Sequence, residues 1–395
     1  MPQAQDSPRG SPCCFQAVHQ SRDREGAGQV SRMPQAEPSP YRIRLAKLRK
    51  RLEEGRLEGL LVTSLPNVHY LTGFSGTAGI LWVTLRDSFL LTDPRYDLQA
   101  HEQVQESRVV IVSGDALVAV VKRMNRSRLS RVGFEGGAVS FLTQKRIREL
   151  LPKKRLVATD GWVETLRIEK DEGEIEQIRR AVDLASRAYS ETLPLLRPGI
   201  TEIEVAAEIE YRMRRYGAER PSFETIVAFG ARTAFPHARA GTRPLQAGEC
   251  ILLDLGAILN GYASDMTRTV FLGKPTPKAA RVYHAVLEAQ QEGEAAVKAG
   301  VECAAVDRAT RKVLERYGYG RYFTHGTGHG VGREIHELPR LGKKQRTPLP
   351  ERAVVTVEPG VYIPGFGGVR IEDIVVVRKE GAEVLTRTPK ELTVL

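Results

Sequence analysis

Apolar and polar positions follow two rhythms along this chain. From Tyr41 onward, Ile43, Leu45, Leu48 and Leu52 recur at helical spacing and Gly55 offers a stop, which predicts a first helix. Short apolar runs follow at 59–63, 80–84, 88–92, 109–112 and 131–134, with helical stretches at 116–124 and 142–151. Strands alternating with helices over short connections predict an α/β unit. Beyond residue 165 the rhythm changes. Asp171 followed by Glu174 is a capping-box pattern, and Ile175, Ile178, Val182, Ala185 and Tyr189 give the next helix one apolar face. Thr201 with Glu204 repeats the device before a stop at Gly217. Thr276-Pro277 opens a third helix running toward Gly300, and a fourth spans 304–317. Strand-rich stretches follow each helix pair. This order is α+β, and it fits a weak internal duplication without visible identity between the halves.

The expected divisions are a tail over 1–40, an α/β domain over 41–165 and an α+β domain over 166–395. The tail is rich in Pro, Ser, Gln and Gly and too poor in large apolar residues to offset the entropy of ordering, so disorder is expected there. Met33 is an alternative start.

Composition narrows the class. At 395 residues two domains are the prior, and 41% hydrophobic with 27% charged residues describes an ordinary soluble globular protein. No apolar run is long enough to span a bilayer, and the N-terminus lacks the apolar core of a signal peptide. Cys13, Cys14, Cys250 and Cys303 have neither zinc-finger spacing nor a disulfide framework. Cys250 and Cys303 are expected as buried free thiols, which suits a reducing cytoplasm. The net charge of +11 arises mainly in residues 41–160, where 21 Lys and Arg face 12 Asp and Glu. The runs 42–51 and 122–131 read as solvated faces. Without aromatic interleaving or a recognised module they do not predict nucleic-acid binding.

Candidate chemistry is concentrated near the C-terminus. Eight histidines occur, and His325, His329 and His336 fall within twelve residues. Imidazole is both a common metal ligand and a proton carrier near neutral pH. Gly326, Gly328, Gly330 and Gly332 separate the histidines and are expected to let backbone approach a small ligand and leave room for it. His69 and the Asp93-Pro-Arg-Tyr96 turn are candidate contacts, with a structural role the favoured reading.

Carboxylates converge on this segment. Asn260-Gly261 lies between two apolar runs, a hairpin signal that pairs Asp254 with Thr267. Asp265 then shares the face of Asp254 as a diagonal neighbour. Two Asp within apolar strands either share a cation or face solvent on one side of the sheet. Glu358 ends the run Val354-Val-Thr-Val, and Glu372 follows Gly368-Val-Arg-Ile. Asp254, Asp265, His329, Glu358 and Glu372 thus supply four carboxylates and one imidazole, a set suited to two bridged divalent ions. Mn²⁺ is the expected ion, with Co²⁺ and Zn²⁺ as alternatives. A structural zinc site would want thiolates instead.

These motifs together resemble the M24 metallopeptidases of the pita-bread fold, and specifically their Xaa-Pro branch, aminopeptidase P and Xaa-Pro dipeptidase (prolidase). The likeness runs from about Arg42 to the C-terminus. It includes the Asn67–Phe74 and Asp93–Tyr96 segments typical of a creatinase-like N-terminal domain. The ligand order Asp, Asp, His, Glu, Glu matches, as does Ser222-Phe-Glu-Thr-Ile-Val-Ala228 with Pro236-His237. Arg333 departs from the pattern, where an apolar residue is expected.

The resemblance implies an α/β creatinase-like domain followed by an α+β pita-bread catalytic domain. It implies hydrolysis of the bond before proline, with hydroxide bridging two ions as the nucleophile. It assigns the five ligands to the metals, with Glu358 taking the proton of the attacking water. His237 becomes the proton shuttle, and His336 the group that binds and polarises the scissile carbonyl. His325 and Arg370 would line the substrate pocket or support the shell, although His325 in a glycine-rich loop also suits a purely backbone role. A cytoplasmic homodimer acting on peptides with proline in second position is implied too. The rivals are a methionine aminopeptidase, which usually lacks the upstream domain, and a creatinase-like hydrolase, which works without the carboxylate set.

Overall fold

Ser39 and Pro40 start the first helix for separable reasons. The serine Oγ accepts the N–H of Arg42, and proline at the helix start sacrifices no hydrogen bond. The computed structural model describes residues 38–395, so the expected tail up to residue 37, with Cys13, Cys14 and Met33, lies outside the described residues.

The chain then runs α1 (Pro40–Glu54), β1 (Gly59–Val62), α2 (Leu65–Thr72), β2 (Ile80–Thr84), β3 (Ser88–Thr92) and α3 (Asp97–Gln103). It continues with β4 (Arg108–Ile111), α4 (Ala116–Arg126), β5 (Arg131–Glu135), α5 (Phe141–Leu150) and β6 (Arg155–Thr159). The six strands form one mixed sheet in the order β4-β3-β2-β1-β5-β6. Alternate residues serve opposite faces. Leu60, Val62, Leu81, Val83 and Leu90 join Leu45, Leu48 and Leu52 of α1, whereas Leu61, Trp82, Phe89 and Leu91 join Val120 and Met124 of α4 and Ile147 of α5. A sheet covered on both faces reads as continuous apolar runs, which is why its strands were legible.

Three details depart from the pattern. Ile43 is 45% exposed, and Arg44 is buried in its stead. Arg44 donates to the Tyr70 carbonyl at 3.0 Å and to Asp171 at 2.7 Å, so the run 42–51 is not wholly a solvated face. The Asn67–Phe74 segment is mostly helix α2, and β6 escaped notice behind Lys153, Lys154 and Arg155.

The second part opens with α6 (Glu172–Thr192) and α7 (Glu202–Arg215), both started by complete capping boxes. Each cap stabilises its helix by about 1 kcal/mol. Then come β7 (Arg220–Pro221), β8 (Ile226–Phe229), β9 (Cys250–Leu255), β10 (Ala257–Leu259), β11 (Tyr262–Ala263) and β12 (Met266–Phe271). A second helix pair follows, α8 (Pro277–Ala296) and α9 (Cys303–Arg316), as Thr276-Pro277 predicted. The chain ends with β13 (Gly328–Gly330), β14 (Glu337–Leu341), β15 (Val354–Val357), β16 (Gly360–Ile363), β17 (Gly367–Arg370), β18 (Asp373–Arg378), β19 (Gly381–Val384) and β20 (Thr393–Val394). Residues of α6 and α7 pack on β8, β9 and β12, while α9 packs on β15 and β18. The form, helix pair upon antiparallel sheet, is thus repeated.

The hairpin keeps its predicted register. Asp254 pairs with Thr267, and Ile258 with Ala263 beyond an interruption. Asn260 and Gly261 take φ of 50° and 71°, the left-handed pair that a tight hairpin turn requires. Cys303 is buried as expected, but Cys250 is only partly so, and both thiols are free. No helix among the described residues is long and apolar enough to cross a membrane.

Candidate metal centre

The five expected ligands arrive on two different sheets. Asp254 belongs to β9, and Asp265 immediately precedes β12. His329 is the middle residue of β13, Glu358 follows β15, and Glu372 lies between β17 and β18. All five line one cleft of about 890 Å³, together with His237, His325, His336 and Arg370. The expected metal ligands and the four other expected site residues are therefore brought to one place.

The acids are crowded and poorly compensated. Burial pushes the Asp265 carboxyl well above its usual range, and Glu372, Asp254 and Glu358 push it further. Burial is likewise the leading cause for Glu372, which rises strongly, and for Glu358, which reaches about 8. Asp254 is raised by burial despite its ion pair with Arg370 at 2.5 Å, and its second oxygen, Oδ1, is buried without a partner. One guanidinium faces four carboxyl groups.

The imidazole repeats the demand. His329 Nδ1 lies 3.0 Å from the Gly330 carbonyl, which can only accept, so Nδ1 carries the proton. Burial holds the ring's pKa down to about 4, leaving it neutral at pH 7. The lone pair of Nε2 then faces Asp265 Oδ2 at 3.6 Å and Glu358 Oε1 at 3.5 Å. Electron pairs facing carboxylates are repulsive unless a cation stands between them. Asp265, His329 and Glu372 each bring a ligand atom within 4.8 Å of the others, so the site suits a divalent ion.

Arg370 is a hub. Besides Asp254, its guanidinium donates to Thr267 Oγ1 at 2.9 Å, Tyr362 OH at 2.8 Å and the Pro236 carbonyl at 3.2 Å. It thereby ties the loop of His237 to the acidic strands. Thr267 Oγ1 in turn donates a hydrogen bond to Glu372 Oε2 at 2.6 Å. His325 Nδ1 donates to the Gly326 carbonyl at 2.8 Å, so its Nε2 accepts from Tyr362 OH at 2.9 Å. Tyr362 and Thr267 belong to the site, yet neither was singled out for chemistry in the sequence. Tyr362 lies four residues beyond Glu358 and Thr267 two beyond Asp265, and that proximity was the available signal.

The glycines of the histidine segment do more than expected. A methyl group on Gly328 would overlap the Thr356 carbonyl oxygen, and one on Gly330 the Leu338 carbonyl. They let strands and loops approach one another, and Gly326 and Gly328 also line the cleft. His69 lies outside the cleft, its ring against Gly261, and Asp93 caps its own turn by accepting the N–H of Arg95, so both are structural. Arg333, the departure from the pattern, stacks 4.4 Å from the Tyr262 ring centroid and donates to its hydroxyl at 3.0 Å.

Comparison with known proteins fits this geometry. The pattern of metallopeptidase family M24 matches residues 176–379, and that of the creatinase/prolidase N-terminal domain matches 44–168. The chain belongs to metallopeptidase family M24. An M24 peptidase uses divalent metal, and the crowded acids supply a place for it. Its N-terminal domain is of the creatinase type and its catalytic part has the pita-bread fold. The M24 relative named Xaa-Pro dipeptidase from Pyrococcus furiosus is 37% identical, across 88% of this chain and 99% of its own. The solved Xaa-Pro dipeptidase from Bacillus anthracis superposes with a TM-score of 0.88 at 39% identity, covering 90% of this chain and 100% of its own. The solved X-Pro aminopeptidase from Thermotoga maritima gives 0.83 at 36% identity, covering 87% of this chain and 100% of its own.

Proposed function

We propose that this M24 peptidase hydrolyses the bond between an N-terminal residue and proline, using two divalent ions, with Mn²⁺ as the working metal. The observation that carries the reading is the buried set of four carboxylates around one neutral imidazole. Relatives bearing the names Xaa-Pro dipeptidase and X-Pro aminopeptidase along nearly their whole length support the choice of proline.

In this reading Asp254, Asp265, His329, Glu358 and Glu372 hold the metals. The ions supply Lewis acidity, which acidifies water and polarises a carbonyl. Glu358 takes a proton from the attacking water. His336 donates a hydrogen bond to the oxygen of the scissile carbonyl as charge develops there. His237, on the loop that Arg370 grips through Pro236, delivers a proton to the departing prolyl nitrogen. His325 and Arg370 form a fixed wall through Tyr362.

The chain is read as a catalytic region over 166–395 preceded by a domain over 41–165. We place it in the cytoplasm as a homodimer. Free thiols support the compartment, and the exposed Phe141 and Leu142 at the start of α5 offer apolar surface for a second copy. Light scattering of the purified protein gives the oligomeric state.

A panel of Ala-Pro, Ala-Pro-Ala and Met-Ala-Ser with added Mn²⁺, Co²⁺ or Zn²⁺ tests the activity. Release of alanine from the proline peptides is expected, fastest with Mn²⁺. Cleavage of Met-Ala-Ser with both proline peptides left intact would overturn the reading.

A further inference from the structure

His336 has little of its own to hold it. It stands in the loop between β13 and β14, where the strand register slips, and its ring leans edge-on against His329 at 4.4 Å between centroids. The active-site cleft lies on one side of this loop. On the other a second cavity of about 400 Å³ opens, lined by Trp162, Arg167, Glu337 and His336 itself. A loop with space on both sides lacks the packing that fixes side chains elsewhere.

What fixes it is ionic. Arg167, 2% exposed, reaches the loop from the segment just before α6. Its guanidinium donates to Glu334 Oε2 at 2.8 Å and to Glu337 Oε1, which lie two residues before and one after His336. Glu337 Oε1 also accepts the backbone N–H of Glu334 at 3.1 Å, closing the loop upon itself, while Oε2 accepts from Lys170 at 3.2 Å. Behind Arg167, Asn67 of α2 accepts its remaining fork at 2.8 Å and is itself oriented by Glu135 and Glu164 at 2.7 Å each. A planar fork meeting three acceptors at once sets orientation as well as charge, which lysine cannot reproduce.

We propose that Arg167 is a positioning residue for His336: by clasping Glu334 and Glu337 it sets the loop that aims the imidazole into the cleft. The N-terminal domain thereby takes part in catalysis through Asn67 without touching substrate. This rests on the role given to His336 above.

The test is a mutant cycle in the full chain loaded with Mn²⁺, with Ala-Pro as substrate. Arg167→Met is expected to lower kcat roughly 10- to 100-fold, as displacement of a reacting group by about 1 Å does, with Mn²⁺ affinity unchanged. Arg167→Lys should restore the thermal midpoint but not kcat. In a His336→Ala background Arg167→Met should cost less than about twofold more, because positioning an absent ring is worth nothing. Equal losses in both backgrounds would make Arg167 merely structural and overturn the proposal. Should Arg167→Met fail to fold, Asn67→Ala frees the guanidinium while keeping its charge, and the same non-additivity is expected. One readout is independent of peptide cleavage. In protein carrying ¹³C-labelled histidine, the His336 ring resonance should shift or broaden in either variant while that of exposed His101 stays put. An unmoved His336 signal would overturn the positioning role even in a protein that cleaves no prolyl bond.

Discussion

Glu358 and Glu337 are the same residue type, both with buried carboxyls, in one catalytic domain, and their neighbours drive them in opposite directions. Burial raises Glu358 to about 8, with Asp254 adding to it and a single arginine opposing. Burial would raise Glu337 as well, but Lys170 and Arg167 outweigh it and hold the carboxyl at about 2. The contrast separates two uses of a buried acid. Where cations are built in, the carboxylate is a fastening. Where they are left out, the cluster is strained until something positive arrives. Glu372 and Asp373 compress the same lesson into adjacent positions. Glu372 is driven up among the ligands, whereas Asp373 is held down by Arg268 at 2.6 Å and Lys390 at 2.8 Å on the opposite side of the strand.

The largest effect expected from breaking this contrast is on activity. Asp265→Ala or His329→Ala should reduce hydrolysis of Ala-Pro to background while circular dichroism stays native. Full activity retained by metal-stripped Asp265→Ala would end the two-metal account. Stability should then divide the two acid clusters by sign. Glu337→Gln removes one partner of a buried ion cluster and should destabilise by about 3 kcal/mol in urea unfolding. Asp265→Asn removes a repelling charge and should raise the midpoint of the metal-free protein while abolishing its gain from Mn²⁺.

A pH series sharpens the comparison further. Glu358 binds its proton more tightly folded than unfolded, so its contribution to metal-free stability is complete below pH 4.5 and is lost as pH rises to about 8. Glu337 runs the other way, contributing fully above pH 4.5 and losing its part as pH falls toward 2. Because metal displaces the proton, the rise in Tm on adding Mn²⁺ should grow through the window from 4.5 to about 8. A gain independent of pH would mean that the acids are already ionised. The smallest effect serves as a control. Asn260→Ala places an alanine at a φ of 50° and should cost about 1 kcal/mol without altering kcat, since the Asn260 side chain donates to Gln177 at 2.8 Å and to neither cluster.

The ligand set was readable because each acid interrupts an apolar run, and a charge in that place needs a reason. Asp254 and Asp265 could even be put on one face, since Asn260-Gly261 fixes the register. The strands of the first sheet showed themselves through continuous apolar runs. Arg44 and Arg167 did not, because each looks like any other basic residue on a helix or linker until its carboxylate acceptors, more than 100 residues away, are folded against it. The glycines of the histidine segment were only half legible for a related cause. A missing side chain signals close approach but does not name what approaches, and here it is Thr356 and Leu338.

The seam fastened by Arg44 and Arg167 also bears on how such proteins recombine. Arg44 reaches Asp171 and Glu174 at the start of α6, and Arg167 reaches Glu334 and Glu337 far down the chain. The Arg44 pairs cross from the first module to the second, and Arg167, already within the second, reaches back to Asn67 of the first at 2.8 Å, so neither module carries its own complement. A chimera that joins this catalytic region to a foreign leading domain would inherit half of each handshake. Grafting Arg44 and Asn67 onto the foreign domain, instead of joining the domain alone, is the unit in which this architecture can be exchanged.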